Sequence, residues 1–388
     1  MKAAGDVQGF LPYGRQVIED DDLEAVREAL LSPYLTTGPM VGRFEAALAA
    51  ATGAAEAVVV SNGTAALHLA ARAIKLDRGQ TAIVPSLTFV ATANAVRYCG
   101  ADVVFADVDP VTGLMTPDTL LDALRRAPST TRAVFPVHLN GPSCDMAALA
   151  EIARSWGLWV VEDACHALGG RQAGGPVGAC AHSDLACFSF HPVKTIAMGE
   201  GGAITTNDAA LAAALRRDRS HGLVRDANPD EPWAYELHEP GFNYRAPDIL
   251  CALGLSQLKK LARFVGQRRH LVALYREALA PLAPLVHLLP EPAHGEAAWH
   301  LLAVQIDFAA AGIDRATVMA RLAERGIGSQ VHYIPVHRQP YYAARTPGLE
   351  LPGADAYYAK CLSLPLFAAM TEGDVTRVAE ALTEALAH

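Results

Sequence analysis

Residues 184–208, DLACFSFHPVKTIAMGEGGAITTND, contain two short apolar runs joined by a loop that holds Lys194 and the glycine-rich GEGG. Five similar runs precede them from Ala57 onward: AVVVSNG, TAIVPS, DVVFADV, RAVFPVHLNG and LWVVEDA. Each run is largely apolar on both faces, and helical patterns such as TAALHLAARAIKL separate many of them. This alternation predicts an α/β protein with a mainly parallel sheet covered by helices, and ligands bound beyond the carboxyl ends of the strands.

The pattern changes near Ala262, where a long polar helix, proline-rich linkers and widely spaced strand-like stretches follow. We therefore expect a large domain over residues 13–261 and a smaller C-terminal α/β domain over residues 262–388. Roughly the first 20 residues are expected to pack with the small domain.

The composition is that of a globular protein, because 51% of the 388 residues are hydrophobic and only 19% are charged. The net charge of -9 argues against nucleic acid or an anionic membrane as a partner. The N-terminus has no apolar signal segment, and the seven cysteines are scattered without a CxxC pair. A cytoplasmic protein with reduced thiols is the expectation.

A polar motif follows the first strand run. Ser61-Asn62-Gly63-Thr64 comes directly after AVVV and opens a helix. The unpaired backbone N–H groups and the positive end of such a helix suit a phosphate. An ordinary helix N-cap is the alternative interpretation.

Two further strand runs are followed by residues that can carry chemistry. Asp163 ends LWVVED, where a buried carboxylate needs a cationic or hydrogen-bonding partner, although an N-cap or a structural ion pair also fits. Lys194 lies in apolar, glycine-rich surroundings that lower the pKa of an ammonium group and favour a nucleophile; a solvated surface lysine is the alternative. Together, a phosphate site, a carboxylate and an amine at three strand ends match what pyridoxal 5'-phosphate (PLP) requires.

Other cofactors lack their sequence motifs. His332 and His337 are separated by five positions with Pro335 between them, so we expect no metal site there. The sequence has no HExxH, and GEGG matches neither GxGxxG nor a Walker loop. These absences argue against a nicotinamide-dependent dehydrogenase and against a nucleotide hydrolase.

From about Tyr13 to the last helix, the chain resembles the sugar-nucleotide aminotransferase family of DegT type. The matching stretches are YGRQ...LTTGP, SNGTAALHLA, PSLTFVATANAV, PVHLNGPSCDM, VVEDACHALGG, FSFHPVKTIAMGEGGAITTND, SHGLVRD, GFNYR and VHYIPVHRQPYY. EDACHALG, SFHPVK, SHGLVRD and VHYIPVHRQPYY look most like the UDP-4-amino-4,6-dideoxy-N-acetyl-β-L-altrosamine transaminases of pseudaminic acid biosynthesis. The resemblance implies PLP fold type I, the aspartate-aminotransferase-like fold.

The resemblance also implies roles for the matching residues. On the cofactor, these are Lys194 as the covalent attachment point and proton carrier, Asp163 on the pyridine nitrogen, Phe89 stacked on the ring, His166 beside it, and Gly63, Thr64 and Ser189 on the phosphate. Asn243 would reach that phosphate from the partner subunit of a homodimer with shared active sites. The candidate substrate-binding residues are His332, Tyr333, His337 and Arg338, for which a half-buried surface turn is the alternative.

The activity implied is transfer of the amino group of L-glutamate to C4 of a UDP-linked 4-keto-6-deoxy sugar. Alternatives are another UDP-, GDP- or dTDP-linked 4-keto sugar, a PLP-dependent sugar dehydratase, or a non-catalytic regulator. Lys194 argues against the dehydratase, whose relatives have His at that position. Four departures from the family pattern, Asn140, Ala197, Met198 and Pro247, leave the PLP residues in place and bear on substrate preference.

Overall fold

The seven apolar runs form the seven strands of one sheet in the computed structural model, which describes residues 9–225 and 230–387. In chain order the strands are β1 (Glu56–Val60), β2 (Thr81–Pro85), β3 (Asp102–Ala106), β4 (Thr131–Val134), β5 (Trp159–Asp163), β6 (Arg171–Gln172), β7 (Gly175–Pro176), β8 (Leu185–Ser189), β9 (Gly202–Thr206), β10 (Leu223–Val224), β11 (Glu236–Leu237), β12 (Val286–Leu288), β13 (Leu302–Ile306) and β14 (Cys361–Leu364). The order in the large sheet is β1-β9-β8-β5-β4-β2-β3. Strand β9 is antiparallel to both of its neighbours, and the other pairs are parallel.

The helices are α1 (Asp20–Leu31), α2 (Pro39–Thr52), α3 (Gly63–Ala73), α4 (Val90–Tyr98), α5 (Pro117–Arg126), α6 (Met146–Ser155), α7 (Ala209–Asp218), α8 (Asp248–Leu258), α9 (Leu261–Leu279), α10 (Phe308–Ala311), α11 (Arg315–Glu324), α12 (Pro340–Ala343), α13 (Pro352–Lys360) and α14 (Glu372–Leu386). Local sequence explains several boundaries. The Thr116 side chain accepts a hydrogen bond from Thr119 N–H at the start of α5, and α2 ends at Gly53 in the left-handed conformation.

The large sheet is buried on both faces. Along β1, Val58 and Val60 belong to one apolar cluster, whereas Ala57 and Val59 belong to a second. Because successive side chains of a strand point to opposite faces, a sheet between two helical layers favours apolar residues on both faces of each strand. This explains why the runs read as continuously apolar rather than alternating, and it confirms the predicted sheet.

The C-terminal part of the chain forms a second, antiparallel sheet of order β12-β13-β14 after the long helix α9. The first described residues lie against this part: Leu11 N–H donates to Gly326 O at 2.8 Å, and Leu366 N–H donates to Tyr13 O at 3.1 Å. The division into domains at residues 261 and 262 stays a prediction. Among the described residues, no helix is both long and apolar enough to cross a membrane.

Candidate active site

A cavity of about 690 Å³ lies where β1, β5 and β8 end. Strands β1, β5 and β8 point the same way, so their carboxyl ends meet at one edge of the sheet. Nine of the residues singled out from the sequence line the cavity: Gly63, Thr64, Phe89, Asp163, His166, Ser189, Lys194, His332 and Tyr333. Residues from distant parts of the chain therefore converge on one site.

One end of the cavity is formed by the N-terminus of α3. Asn62 caps this helix by accepting the Ala65 N–H at 2.8 Å, while the N–H groups of Gly63 and Thr64 belong to the first turn, which has no intrahelical partners for them. A Cβ atom at Gly63 would lie 2.8 Å from the Cβ of Ser189, so only glycine fits between the helix and β8. The result is a tight cradle of backbone and hydroxyl donors that suits a phosphate.

Asp163 lines the cavity at the end of β5, and only 5% of the residue is exposed. Thr92 donates its hydroxyl hydrogen to Oδ2 at 2.7 Å, and Cys165 N–H donates to Oδ1 at 3.2 Å. Thr92 is itself held by Thr88 at 2.8 Å. These contacts fix the carboxylate in one orientation, which suits a partner that carries a positive charge.

Lys194 follows β8 in a loop closed by backbone hydrogen bonds. Its N–H donates to His191 O at 2.8 Å, and Met198 N–H donates to Phe190 O at 2.9 Å. Burial lowers the pKa of the Lys194 ammonium, while the nearby Cys165 and Asp163 oppose this shift. The lysine is therefore easier to deprotonate than a surface lysine, as a nucleophilic amine requires.

One wall of the cavity is rich in rings, because His166 faces three residues of the C-terminal part there: His300, His332 and Tyr333. His166 lies 4.5 Å from His300 between ring centroids, and its Nε2 is 3.3 Å from the hydroxyl of Tyr333. Burial lowers the pKa values of His166 and His300 well below the ordinary value and that of His332 to about 4. These three histidines are neutral at neutral pH, so this wall offers hydrogen bonds rather than positive charge.

Three of the singled-out residues do not line the cavity. His337 is turned toward Ser86, with its Nδ1 2.6 Å from the hydroxyl, and Arg338 pairs with Asp355 at 2.7 Å. Asn243 is exposed on the loop before α8. A role for Asn243 in a partner subunit's site stays a prediction.

The structure adds cavity residues that the motifs did not single out. Among them are Tyr13, Tyr98, Tyr244 and His300; Thr92 does not line the cavity but donates a hydrogen bond to Asp163, which does. Thr92 lies in the matching stretch PSLTFVATANAV, where its spacing from Phe89 within one helical turn was the available signal. His300 lies far from every strand-end motif in the sequence, and no local pattern marks it.

Comparisons with known proteins agree with this geometry. The model of the DegT/DnrJ/EryC1/StrS aminotransferase family matches residues 16–383. PseC of Helicobacter pylori, an aminotransferase involved in pseudaminic acid biosynthesis, is 27% identical with a TM-score of 0.90, over 97% of this chain and 99% of that one. A putative sugar aminotransferase of Streptococcus pneumoniae, solved in the PMP form, is 26% identical with a TM-score of 0.88 over the same shares. DesI, solved with its TDP-sugar product, is 34% identical with a TM-score of 0.87, over 97% of this chain and 93% of that one.

Proposed function

Because this chain belongs to the DegT/DnrJ/EryC1/StrS aminotransferase family, and is therefore a PLP-dependent sugar aminotransferase, we propose that it aminates C4 of a UDP-linked 4-keto-6-deoxy sugar. The proposed donor is L-glutamate. The proposed acceptor is UDP-2-acetamido-2,6-dideoxy-β-L-arabino-hex-4-ulose, a precursor of pseudaminic acid. The observation that carries the proposal is the convergence of the α3 cradle, Asp163 and Lys194 on one cavity.

The residues of this cavity fit PLP. The cradle at Gly63 is too narrow for a Cβ and has the donors that a phosphate needs, so Gly63, Thr64 and Ser189 would hold the phosphate. Asp163 would hold the ring nitrogen, and Phe89, whose ring lines the same cavity, would lie against the cofactor ring. When bound, PLP supplies an electron-withdrawing ring that makes the donor's Cα proton removable.

The chain's own residues then bind and move protons. Lys194 supplies the amine that attaches the cofactor, and burial increases the fraction of this amine that is neutral. Once the donor's amine has taken its place, the Lys194 Nζ would take the proton from the donor's Cα and deliver it to the carbon of the cofactor that had carried the lysine. Asp163, fixed by Thr92, would keep a proton on the ring nitrogen of the bound cofactor.

We also propose a homodimer with shared active sites. Three large apolar side chains near the end of α1 are exposed: Leu31 (74%), Tyr34 (53%) and Leu35 (49%). This segment is joined to the loop of Asn243 through Asp248, whose N–H donates to Leu35 O at 3.0 Å. An exposed apolar patch beside the predicted partner-facing loop supports association of two copies.

A second acceptor class is favoured by one observation. DesI, solved with its TDP-sugar product, shares 34% identity with this chain, more than the 27% shared with PseC. A dTDP-linked 4-keto sugar is therefore the principal alternative to the UDP-linked one.

The substrate proposal is tested by a panel of UDP-, GDP- and dTDP-linked 4-keto sugars incubated with L-glutamate, with products followed by mass. We expect kcat/KM for the UDP L-arabino compound to exceed that for its D-xylo epimer, and for the GDP and dTDP compounds, by at least about tenfold, or about 1.4 kcal/mol. The Lys194→Ala variant is the control for background amination. A higher kcat/KM for the GDP, dTDP or D-xylo compound would overturn the acceptor assignment. Amination with another amino donor but not with L-glutamate would overturn the donor assignment.

A further inference from the structure

Asn140, in the loop after β4, has a backbone conformation that is uncommon for a residue other than glycine. Its φ is +66°, and the residue is completely buried. Asparagine is one of the few residues with a side chain that adopts the left-handed region at modest cost. Buried residues in this conformation persist where surrounding contacts require them.

The backbone of Asn140 contacts both of the adjacent cavity histidines. Its backbone N–H donates to the ring Nδ1 of His166 at 3.3 Å. Its backbone carbonyl accepts the backbone N–H of His300 at 2.8 Å. The two segments of the chain that hold Asn140 and His300 pack closely, because a Cβ at the next residue, Gly141, would lie 2.3 Å from Ala298 O. One residue after β4 thus contacts two histidines that are 134 positions apart in the chain (300 − 166 = 134), and their rings lie side by side on the cavity wall.

The Asn140 contact also decides where His166 carries its proton. Because Nδ1 accepts the Asn140 N–H, it cannot itself be protonated, and the proton of the neutral ring must lie on Nε2. Nε2 is the atom that faces the hydroxyl of Tyr333 at 3.3 Å. His166 therefore presents a hydrogen-bond donor at the cavity wall.

The side chain of Asn140 is anchored behind the cavity. Its Nδ2 donates to the hydroxyl of Tyr357, in α13, at 2.9 Å, and Tyr357 is completely buried. The Oδ1 of Asn140 has no hydrogen-bond partner among the described residues. Among the described residues, the hydrogen bond to Tyr357 is therefore the one that joins the Asn140 side chain to the C-terminal part of the chain.

We propose that Asn140 is a positioning residue: anchored on Tyr357, it holds the loop after β4 so that His166 stays in the Nε2–H form beside His300. This inference deepens the proposed function and rests on it only for the kinetic consequence. The tautomer of His166 is a property of the protein that can be measured whatever the sugar substrate proves to be.

The test compares Tyr357→Phe and Asn140→Gly with the wild type, all loaded with PLP. Tyr357→Phe removes the anchor and keeps the ring, while Asn140→Gly removes the anchor and tolerates the positive φ. Lys75→Gly is the matched control, since Lys75 also has a positive φ, of 56°, but is exposed outside the cavity. The imidazole ¹⁵N shifts of labelled protein report the tautomer, and a His166→Gln variant assigns the signal.

We expect wild type and Lys75→Gly to show His166 protonated at Nε2 alone. Both anchor variants should populate the Nδ1–H form, and kcat for the half-reaction with glutamate should fall about tenfold, with the KM for glutamate changed less than about threefold. A wild-type His166 protonated at Nδ1 would overturn the proposal. So would anchor variants that melt earlier but keep the wild-type tautomer and kcat, since that pattern indicates a structural role alone. If Asn140→Gly does not fold, Tyr357→Phe decides the question.

Discussion

At the scale of single residues, the proposed chemistry requires an amine that is less protonated than an ordinary lysine. Burial lowers the pKa of Lys194, and the carboxylate of Asp163 nearby limits how far it falls. The glycines around the loop matter for a separate reason: they let the backbone pack closely, as at Gly202, where a Cβ would lie 2.3 Å from Asn62 O. The lowered pKa and the close packing therefore come from different residues of the same segment.

We expect Lys194→Ala to fold normally and to lose covalent attachment of PLP, because no other amine replaces Nζ at that position. Borohydride reduction followed by intact-mass measurement should add the mass of the reduced cofactor to wild type but not to the variant. Lys259→Ala, which removes an exposed lysine, is the control and should label like wild type. A labelled Lys194→Ala protein would show that another lysine attaches the cofactor.

At the scale of secondary structure, a buried polar cluster joins the loop after β4 to β5. Glu162 and His138 are both completely buried, and Nε2 of His138 lies 2.7 Å from Oε2 of Glu162. Gln172 also donates to Oε2, at 3.2 Å, and Ser183 donates to Oε1. Burial raises the pKa of Glu162, but these donors outweigh burial and hold the pKa below the ordinary value. The carboxylate thus ties β5, which ends in Asp163, to three neighbouring segments.

We expect Glu162→Gln to lower the free energy of unfolding at pH 7 by about 2–3 kcal/mol, because an amide NH₂ then faces groups that donate. The folded-state pKa of Glu162 lies below its unfolded value, so its stabilisation is complete above about pH 4.5 and is lost as the pH falls through the folded pKa. The difference between wild type and variant should therefore shrink in acid. Denaturant unfolding of wild type and variant, at pH 7 and at an acid pH below the folded-state pKa of Glu162, measures this difference.

Glu151→Gln is the control for the Glu162 experiment, because Glu151 is exposed on α6. We expect it to change the free energy of unfolding by less than about 0.5 kcal/mol at either pH. A Glu162→Gln variant as stable as this control at pH 7 would contradict the importance of the buried carboxylate.

At the scale of the whole molecule, the proposed dimer predicts that activity can be recovered by mixing inactive variants. In a mixed dimer of Lys194→Ala and Asn243→Ala subunits, one site combines an intact Lys194 with an intact Asn243 from the partner. Random exchange makes about half of the dimers mixed, each with one intact site, so we expect about a quarter of wild-type activity. Activity is measured before and after verified subunit exchange.

Mixing Lys194→Ala with Asp163→Asn is the matched control, because both residues line the same cavity of one chain and no mixed dimer restores them together. Recovery in this control would show that the sites are rearranged between subunits. If the Asn243 mixture stays inactive after exchange while each parent is folded, the sites are self-contained and the shared-site proposal is wrong.

The sequence by itself determined the large sheet and the strand ends at which the candidate site residues lie. The runs are largely apolar on both faces because both faces of the sheet are covered, and Gly63, Asp163 and Lys194 each lie at or shortly after the end of a strand. These local patterns predict a common site because parallel strands bring their carboxyl ends to one edge of the sheet, whatever the length of the connections between them. The Asn243 role and the domain boundary remain predictions.

Only the tertiary structure decided which side chains from the C-terminal part face the cavity. His332 and His337 lie in one short stretch, yet His332 lines the cavity and His337 turns to Ser86. His300 reaches the wall through its contact with Asn140, 160 positions earlier in the chain (300 − 140 = 160). The orientation of a side chain in an irregular segment depends on packing and hydrogen bonds with distant residues, and neither leaves a periodic signal in the sequence.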